Sequence, residues 1–504
     1  MVILSRFVSS GFGLLQPLVA ALIQSQYTFA KGLTAVQAQR ELGPLLSSTT
    51  SIFGPVDSRW FNVTERYQCY APPQIQLVVQ PGRESDISTI VQYANNNSVD
   101  FLVVNRGHAL TSTIGEFTGI QIDVRSLKDI VIQPDRKAAR LQAGTYNHEL
   151  IKTLWEHGYV ATSGTCSCVG MVGPALGGGH GLFQGRYGLI SDNIVSLNVV
   201  LGNGTATTVN ATHNSDLWWA MLGAGHNFGI VTSFDLKIYP AEKRAWYYRE
   251  YVFTGDHLET LFKELNKFHN NGTMAQTVAG SFGVIPDTES MWAVIIWTFV
   301  YDCSQADAEP SLAPFDLLGA ISHKDGNVMY PEVPDVLGSG LTSDLCAANK
   351  THIIATAGLQ VYNITAQRQI YDLFNEKVVG HAELRTARVV HEGYAIEGVR
   401  RIEAHQSAYP LRQDNLLMYF DVALKANSEL EAFAREWARE TRDLWNAGQP
   451  WRRPTTYVNY AFGDESVESM YGYEPWRLGK LRALKAQYDP ENRLSYYNPI
   501  IPRA

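Results

Sequence analysis

Cysteine is scarce in this 504-residue sequence, and neither sign of charge dominates it. The five cysteines, Cys69, Cys166, Cys168, Cys303 and Cys346, are too few for a disulfide framework, and the odd count leaves at least one unpaired within the chain. One or two bridges remain open. The 41 lysines and arginines are outnumbered by 49 aspartates and glutamates. No basic run is long enough to neutralise a phosphate backbone, which argues against nucleic acid as a partner. Beyond the N-terminal segment, no stretch approaches the roughly 18–20 uninterrupted apolar residues of a transmembrane span. A Walker-type Gly-x-x-x-x-Gly-Lys-Ser/Thr sequence is lacking. The glycine clusters do not sit between a strand and a helix as a Rossmann fingerprint requires. What is present, 45% hydrophobic and 18% charged residues, is the composition of a folded globular chain long enough for two domains or one large composite.

The first thirty residues carry Arg6, then an apolar stretch broken by Gln16 and Pro17, then Ala20 and Ala21. This pattern reads either as a degraded secretory signal or as an amphipathic helix packed on the body. Asn-x-Ser/Thr sequences at Asn62, Asn96, Asn203, Asn210, Asn271, Asn349 and Asn363 lean towards a secreted glycoprotein. An intracellular location is the alternative.

Residues 1–70 are read as an N-terminal segment. From Gln74, alternating Ile75, Leu77 and Val79 predict a half-buried strand. Ile87, Ile90, Val91 and Ala94 then predict a helix with Ser85 as N-cap, and "FLVV" at 101–104 a buried strand. This β-α-β unit delivers the chain into the loop holding His108. Further strands are expected in "GIQIDV", in "IVIQPDRKAARLQAG" as a pair joined by a turn, in the hairpin "IVSLNVVLGNGTATTV" and in "FGIVTSFDLKIYP". "HELIKTLWEHG" reads as a helix stopped by Gly158, and "SDLWWAML" as one opened by Ser215. From residue 241 to 450 long strands ("WYYREYVF", "MWAVIIWTFVYD", "HIIATAGLQVYNI") alternate with helices ("LETLFKELNKFH", "LEAFAREWARETRDLW"). This texture predicts an antiparallel sheet covered by helices on one face. Residues 451–504 are aromatic and loop-rich. The fold class is α+β.

Gly170, Gly173, Gly177, Gly178, Gly179 and Gly181 crowd the segment "GTCSCVGMVGPALGGGHGLFQGRYG", and "LGAGHNFG" adds a second cluster. Such density lets main-chain N–H groups approach an anion or a flat ring; tight packing is the plainer alternative. His180 and His226 inside these loops read first as hydrogen-bonding spacers. A Cys166 and Cys168 metal pair finds no further cysteine-histidine cluster to complete it, so no metal is expected.

A histidine loop after β-α-β, then Gly-x-Cys-x-x-Val-Gly, then "YGLISDNIVSLNVVLGNG" and "DLWWAMLGAGHNFGIVTSF" resemble the berberine-bridge-enzyme-like branch of the vanillyl-alcohol-oxidase flavoprotein superfamily. "YVNY" at 457–460 and "YGYEPWRLGKLRALKAQYDPENRL" at 471–494 resemble that family's closing segment. The resemblance spans roughly residues 70–240 and 455–500. It implies a two-part PCMH-type FAD-binding domain over 71–240, a substrate domain over 241–450 and a C-terminal segment, 451–504, returning to the FAD domain. It further implies FAD linked through His108 to the flavin 8α carbon and through Cys166 to C6, with glycine-loop amides helping to form the Cys166 thiolate. Asn105, Arg106, Gly107, Val169, Gly170, Gly173, Gly177, Gly178, Gly229, Ile230 and Asn459 would line the cofactor. The family's loop is Arg-Ser-Gly-Gly-His-Ser, so Arg106 stands in place of a glycine. Its side chain is expected to turn outward or to pair with the pyrophosphate. Cys168 could compete for the flavin.

The reaction implied is hydride transfer from a small, apolar or aromatic secondary metabolite, with dioxygen as acceptor. Relatives with valine at the position of Val169 admit oxygen. Tyr457 and Tyr460 are the candidate catalytic groups. A phenol of pKa near 10 needs a cation to act as base, for which Arg452 or Arg453 is expected. The plainer reading of Tyr457 is a packed aromatic whose hydroxyl meets a backbone group. Alternatives are an oligosaccharide oxidase, a flavin-dependent cyclase without net redox change, and a secreted binding protein.

Overall fold

The computed structural model describes residues 34–242, 244–270, 277–285, 290 and 292–503. The possible signal segment and Asn271 lie outside them. Among the described residues the strands form three large sheets and one small one, and no helix is long and apolar enough to cross a membrane.

The first sheet grows from the expected β-α-β unit. Gln74–Gln80 and Asp100–Val104, joined by the helix Glu84–Asn96, run parallel but do not touch; Thr118–Asp123 lies between them and pairs with both. Ser51–Phe53 closes the other edge. The alternation of Ile75, Leu77 and Val79 does not mark a solvated face, because Gln76 and Val78 between them are buried too. A central parallel strand is covered on both sides. The helix begins at Glu84 with Arg83 as N-cap, and the Asp86 carboxylate receives the N–H of Arg83 at 3.1 Å; Ser85 is not the cap. Ser215 likewise opens its helix at the first helical position, one residue after the N-cap Asn214.

The second sheet is antiparallel, in the order Ile130–Ile132, Ala138–Gln142, Ile230–Lys237, Ile194–Val200, Ala206–Val209. Gly204 turns the last hairpin at a φ of +86°, which a side chain would resist.

The third sheet has seven strands, all antiparallel, and it dominates residues 246–424. Successive side chains of a strand point to opposite faces, and here the two faces differ in chemistry. Phe282, Trp297, Phe299, Val389, Met418 and Phe420 join the core that includes Leu261, Phe262, Phe374 and Trp437 of the helices Leu258–Asn270, Ile364–Val379 and Glu431–Ala447. Their neighbours in sequence, including Ile296, Thr298, Val390, Glu392 and Tyr419, face a cavity. The expectation of an antiparallel sheet with helices on one face is met, and the other face is where a small molecule can sit.

The C-terminal segment is less loop-like than expected, since Pro475–Tyr488 is a helix. Its Lys485 is 1% exposed, and its ammonium donates to Asp489 at 2.7 Å and to the carbonyls of Asn227 and Leu494, both at 2.8 Å. The chain end is thereby fastened to the second glycine cluster. Of the glycosylation sequences, Asn62, Asn96, Asn203 and Asn349 are exposed. Asn363 instead caps the helix Ile364–Val379, and its Nδ2 donates to the carbonyl of Gly448 at 3.2 Å.

Removing one partner of a buried ion pair strands the other charge. Asp489→Ala is expected to cost about 3–5 kcal/mol of stability, read as a lower midpoint in chemical denaturation, whereas breaking the exposed pair of Arg59 with Asp57 should leave that midpoint almost unmoved.

Candidate active site

One cavity of about 660 Å³ is bounded by the first sheet, the glycine loops, the cavity-facing side of the third sheet and the C-terminal segment. Strand pairing sets its floor. Lys324, Glu250, Thr298, Ala279 and Glu392 are successive partners across five strands, and Ser281, Val390 and Tyr419 form a neighbouring row. Lys324 pairs with Glu250 at 3.0 Å, and Thr298 donates to the same carboxylate at 3.2 Å.

His108 is held at the cavity wall by the loop that leaves the strand Asp100–Val104. Its ring stacks on Tyr67 at 4.0 Å, and Tyr67 stacks in turn on His352 at 4.0 Å. Burial pushes the His108 pKa down to about 4, so the ring is neutral at physiological pH. Gly107 before it has a φ of +70°. Arg106 is exposed, with its guanidinium 4.0 Å above the ring of Tyr146, and it still takes part in lining the cavity. Asn105 donates to the carbonyls of Ala143 (2.7 Å) and Thr145 (3.1 Å).

Cys166 approaches from the opposite loop. Asn147 staples that loop twice, donating to the carbonyl of Cys166 at 2.7 Å and accepting from the N–H of Gly164 at 3.2 Å. The thiol is free, while Cys168 does not compete as a thiol because it is bonded to Cys346. Burial pushes the Cys166 pKa up to about 11; the backbone amides of Cys168 and Val169 oppose this without overcoming it. The amides that help are therefore not glycine amides, and desolvation outweighs them. His108, Cys166 and Cys168 lie close enough together to suggest a metal site, yet a disulfide sulfur supplies no thiolate ligand.

The glycines divide into two kinds. Gly170, Gly173, Gly229 and the strand-opening Ile230 line the cavity, and a Cβ on Gly173 would meet nothing within 4 Å. Gly177 and Gly178 do not line it. A Cβ on Gly177 would press on Asn459 (2.3 Å) and Val458 (2.7 Å), and one on Gly178 on the Tyr409 ring (2.6 Å). Packing explains those two, as the plainer reading held.

Tyr457, Asn459 and Tyr460 all line the cavity. The Tyr457 hydroxyl accepts from Asn459 Nδ2 at 2.7 Å and from the backbone N–H of His180 at 3.3 Å, so it does meet a backbone group. Burial holds its pKa up, at about 12. Neither expected arginine attends it. Arg452 pairs with Asp414 at 2.7 Å, and Arg453 lies 5.0 Å over Tyr473. His180 is a spacer with both ring nitrogens engaged, by Gln184 at 3.0 Å and Tyr409 at 2.6 Å. His226 stacks on Tyr497 at 4.2 Å.

The residue that sequence reasoning missed is Glu392. It sits among Tyr394, Tyr457 and Tyr460, accepting from Tyr460 at 2.9 Å and from Tyr394 at 3.3 Å. Burial raises its pKa to about 7 despite those two donors. A carboxylate poised there can take a proton at neutral pH, which a phenol at about 12 cannot. The available signal was the alternation in "RVVHEGY", which puts Val390 and Glu392 on the face opposite Val389 and His391.

Residues 75–210 match the family described as FAD binding domain, and residues 456–501 the family described as Berberine and berberine like. The FAD-linked oxidoreductase anuG of Penicillium roqueforti is 54% identical over 472 residues, covering 93% of each chain. Among solved structures, Physcomitrella patens BBE-like 1 superposes with a TM-score of 0.79 at 19% identity, over 94% of this chain and 100% of its own. The glucooligosaccharide oxidase of Acremonium strictum, described with a 6-S-cysteinyl, 8α-N1-histidyl FAD, does so with a TM-score of 0.77 at 18% identity, over 92% and 98%. These two likenesses concern the fold.

The residues present suit FAD. Asn105 Oδ1 and Asn459 Oδ1 are buried at the cavity with no donor among the described residues, as acceptors awaiting a polar ligand would be, and Gly173 leaves its side of the wall open. Glu392 also leaves a mark on stability. A carboxyl whose pKa is raised by folding supports the fold fully below the ordinary carboxylate range and loses that support as pH rises through about 7. Glu392→Gln lacks this dependence. In the FAD-free protein the variant should gain on the native chain between pH 5 and pH 8, by roughly 3 kcal/mol at most, in parallel denaturation curves.

Proposed function

The chain belongs to the berberine-bridge-enzyme-like family of FAD-linked oxidoreductases, and from that we propose that it oxidises a small aromatic or apolar metabolite and passes the electrons to dioxygen. Glu392 is the observation that carries the reading: a carboxylate with a pKa of about 7 on the cavity floor, hydrogen-bonded by Tyr460 and Tyr394. FAD, when bound, supplies the hydride acceptor and the route to oxygen.

In this reading Glu392 receives the proton of the substrate hydroxyl or amine as the hydride leaves the adjoining carbon. Tyr460 and Tyr394 steer the carboxylate by their hydrogen bonds, and Tyr457, braced by Asn459 and the backbone of His180, contacts the substrate without acting as base. Ala279, Ile296 and Val390 give the floor an apolar patch, which favours an aromatic or apolar substrate over the oligosaccharide alternative. Val169 at the wall suits entry of oxygen. His108 and Cys166 would hold the flavin covalently, and the two-link FAD described for the Acremonium strictum oxidase supports that pair of attachments. A bridge between Cys168 and Cys346 favours maturation in an oxidising compartment, so we assign the protein to the secretory pathway.

Yellow colour should stay with the acid-precipitated native protein and also with His108→Ala or Cys166→Ala alone, and should leave the pellet only when both are replaced. Release of all flavin from the native protein would remove the covalent reading. Under turnover with oxygen, kcat/KM should rise with pH through about 7 and level off. Glu392→Gln should lower it by about 10²–10⁴-fold and flatten that limb. An unchanged pH profile in the variant would remove Glu392 as the base.

A further inference from the structure

Three sulfurs converge beside the ring of His108, and flavin attachment uses only one of them. Cys166 Sγ lies 3.6 Å from Cys168 Sγ and 4.0 Å from Cys346 Sγ, with the latter two joined across 178 residues of sequence. The bridge anchors the end of a strap that Ser339 laces to the cysteine loop, its hydroxyl donating to Thr165 and its carbonyl receiving the N–H of Ser167, both at 2.9 Å. Leu345, next to the bridged Cys346, presents its carbonyl 3.1 Å from His108 Nε2. Cys168 Sγ stands 3.5 Å from the same nitrogen.

Neither neighbour of Nε2 has a proton to give. A carbonyl oxygen only accepts, and a sulfur inside a disulfide has no S–H. In a neutral imidazole one nitrogen carries the proton and the other the lone pair; Nδ1 faces the carbonyl of His108 itself, while Nε2 faces both the Leu345 carbonyl at 3.1 Å and the aprotic sulfur at 3.5 Å, a pairing that favours Nε2 as the donor and leaves Nδ1 as the nucleophile. A free thiol at Cys168 would change both facts: its S–H could donate to Nε2 and invert the tautomer, and its sulfur would be a second nucleophile beside Cys166.

We propose that the Cys168–Cys346 disulfide is a maturation device for flavin attachment: it fixes His108 as the Nε2–H tautomer, leaving Nδ1 to make the bond, and it leaves Cys166 as the only thiol of the cluster. This rests on the covalent reading given above. In the step concerned, a bond forms between Nδ1 and the flavin 8α carbon. That carbon gives up one hydrogen as a proton, and the imidazole loses its Nε2 proton. The electron pair of the broken C–H bond and the two protons pass to the flavin ring system, and dioxygen carries them away as hydrogen peroxide. The disulfide is not consumed; it positions the reacting nitrogen, much as the partner on the far nitrogen of a metal-bound histidine sets its tautomer.

The test is run in a Cys166→Ala background, where only His108 can retain flavin. FAD is added to apoprotein made under riboflavin limitation. Non-covalent binding is read from the visible spectrum before acid, and attachment from acid-precipitated flavin and the mass of the His108 peptide. With the bridge intact, attachment should proceed. With Cys168→Ser and Cys346→Ser added, it should be about tenfold slower at matched FAD binding. As a second measurement, apoprotein with its natural cysteines is reduced with a phosphine before FAD is added: the His108 peptide should gain flavin more slowly, and reoxidation should restore the rate. Equal rates with and without the bridge, in either format, overturn the proposal while leaving the histidine link standing. No flavin on His108 even with the bridge intact overturns the covalent reading itself.

Discussion

Strand alternation in the seven-stranded sheet is the constraint on which the site depends. Each strand must send one set of side chains into the helix layer and the other into the cavity, because the side-chain period is two. Slipping Arg388–Tyr394 by a single residue would carry Glu392 into the apolar core between sheet and helices and bring Val389 and His391 to the cavity. The helices are therefore more than a cover. By demanding the apolar set, they fix which residues are left for chemistry, and the same packing that hides Trp297 and Phe420 places Glu392 opposite Tyr460.

Burial then does the electrical work. Loss of water pushes the groups of the cavity wall towards their neutral forms: carboxyl, phenol and thiol upward, imidazole downward. Glu392 is brought into the useful range by this effect and Tyr457 is carried out of it. The difference between the two follows from their ordinary values, not from their partners.

Most of the framework was legible in the sequence. Long alternating runs such as "WYYREYVF" and "MWAVIIWTFVYD" are strands, and the amphipathic "LEAFAREWARETRDLW" is a helix, because burial of one face is written in local periodicity. The ordered loops identified the flavin family and pointed to His108 and Cys166. What stayed hidden depends on distant contacts. Glu392 looks like an ordinary polar residue of a half-buried strand until the tyrosines of another segment close over it. The partner of Cys168 lies 178 residues away. Glycine density could not say that Gly173 opens on the cavity while Gly177 and Gly178 only let Asn459 and Tyr409 come close. The helix at Ser215 starts where expected, but the one at Glu84 starts a residue before the expected cap Ser85 because its cap is Arg83, which hydrophobic spacing does not reveal.

The route of the C-terminal segment has a consequence for how the protein is made. Tyr457, Asn459 and Tyr460 close one end of the cavity and residues 493–497 another, with Lys485 tying that stretch to Asn227. A ribosome that has finished the first two sheets and the seven-stranded sheet has therefore produced walls without a roof. Until roughly the last tenth of the chain has emerged, there is no enclosed pocket to select a cofactor, and the sheet face carrying Glu392 lies open to water and to other nascent chains. Cofactor capture in this architecture is a post-translational event by geometry, and the interval before it is when the molecule is most exposed to misassembly.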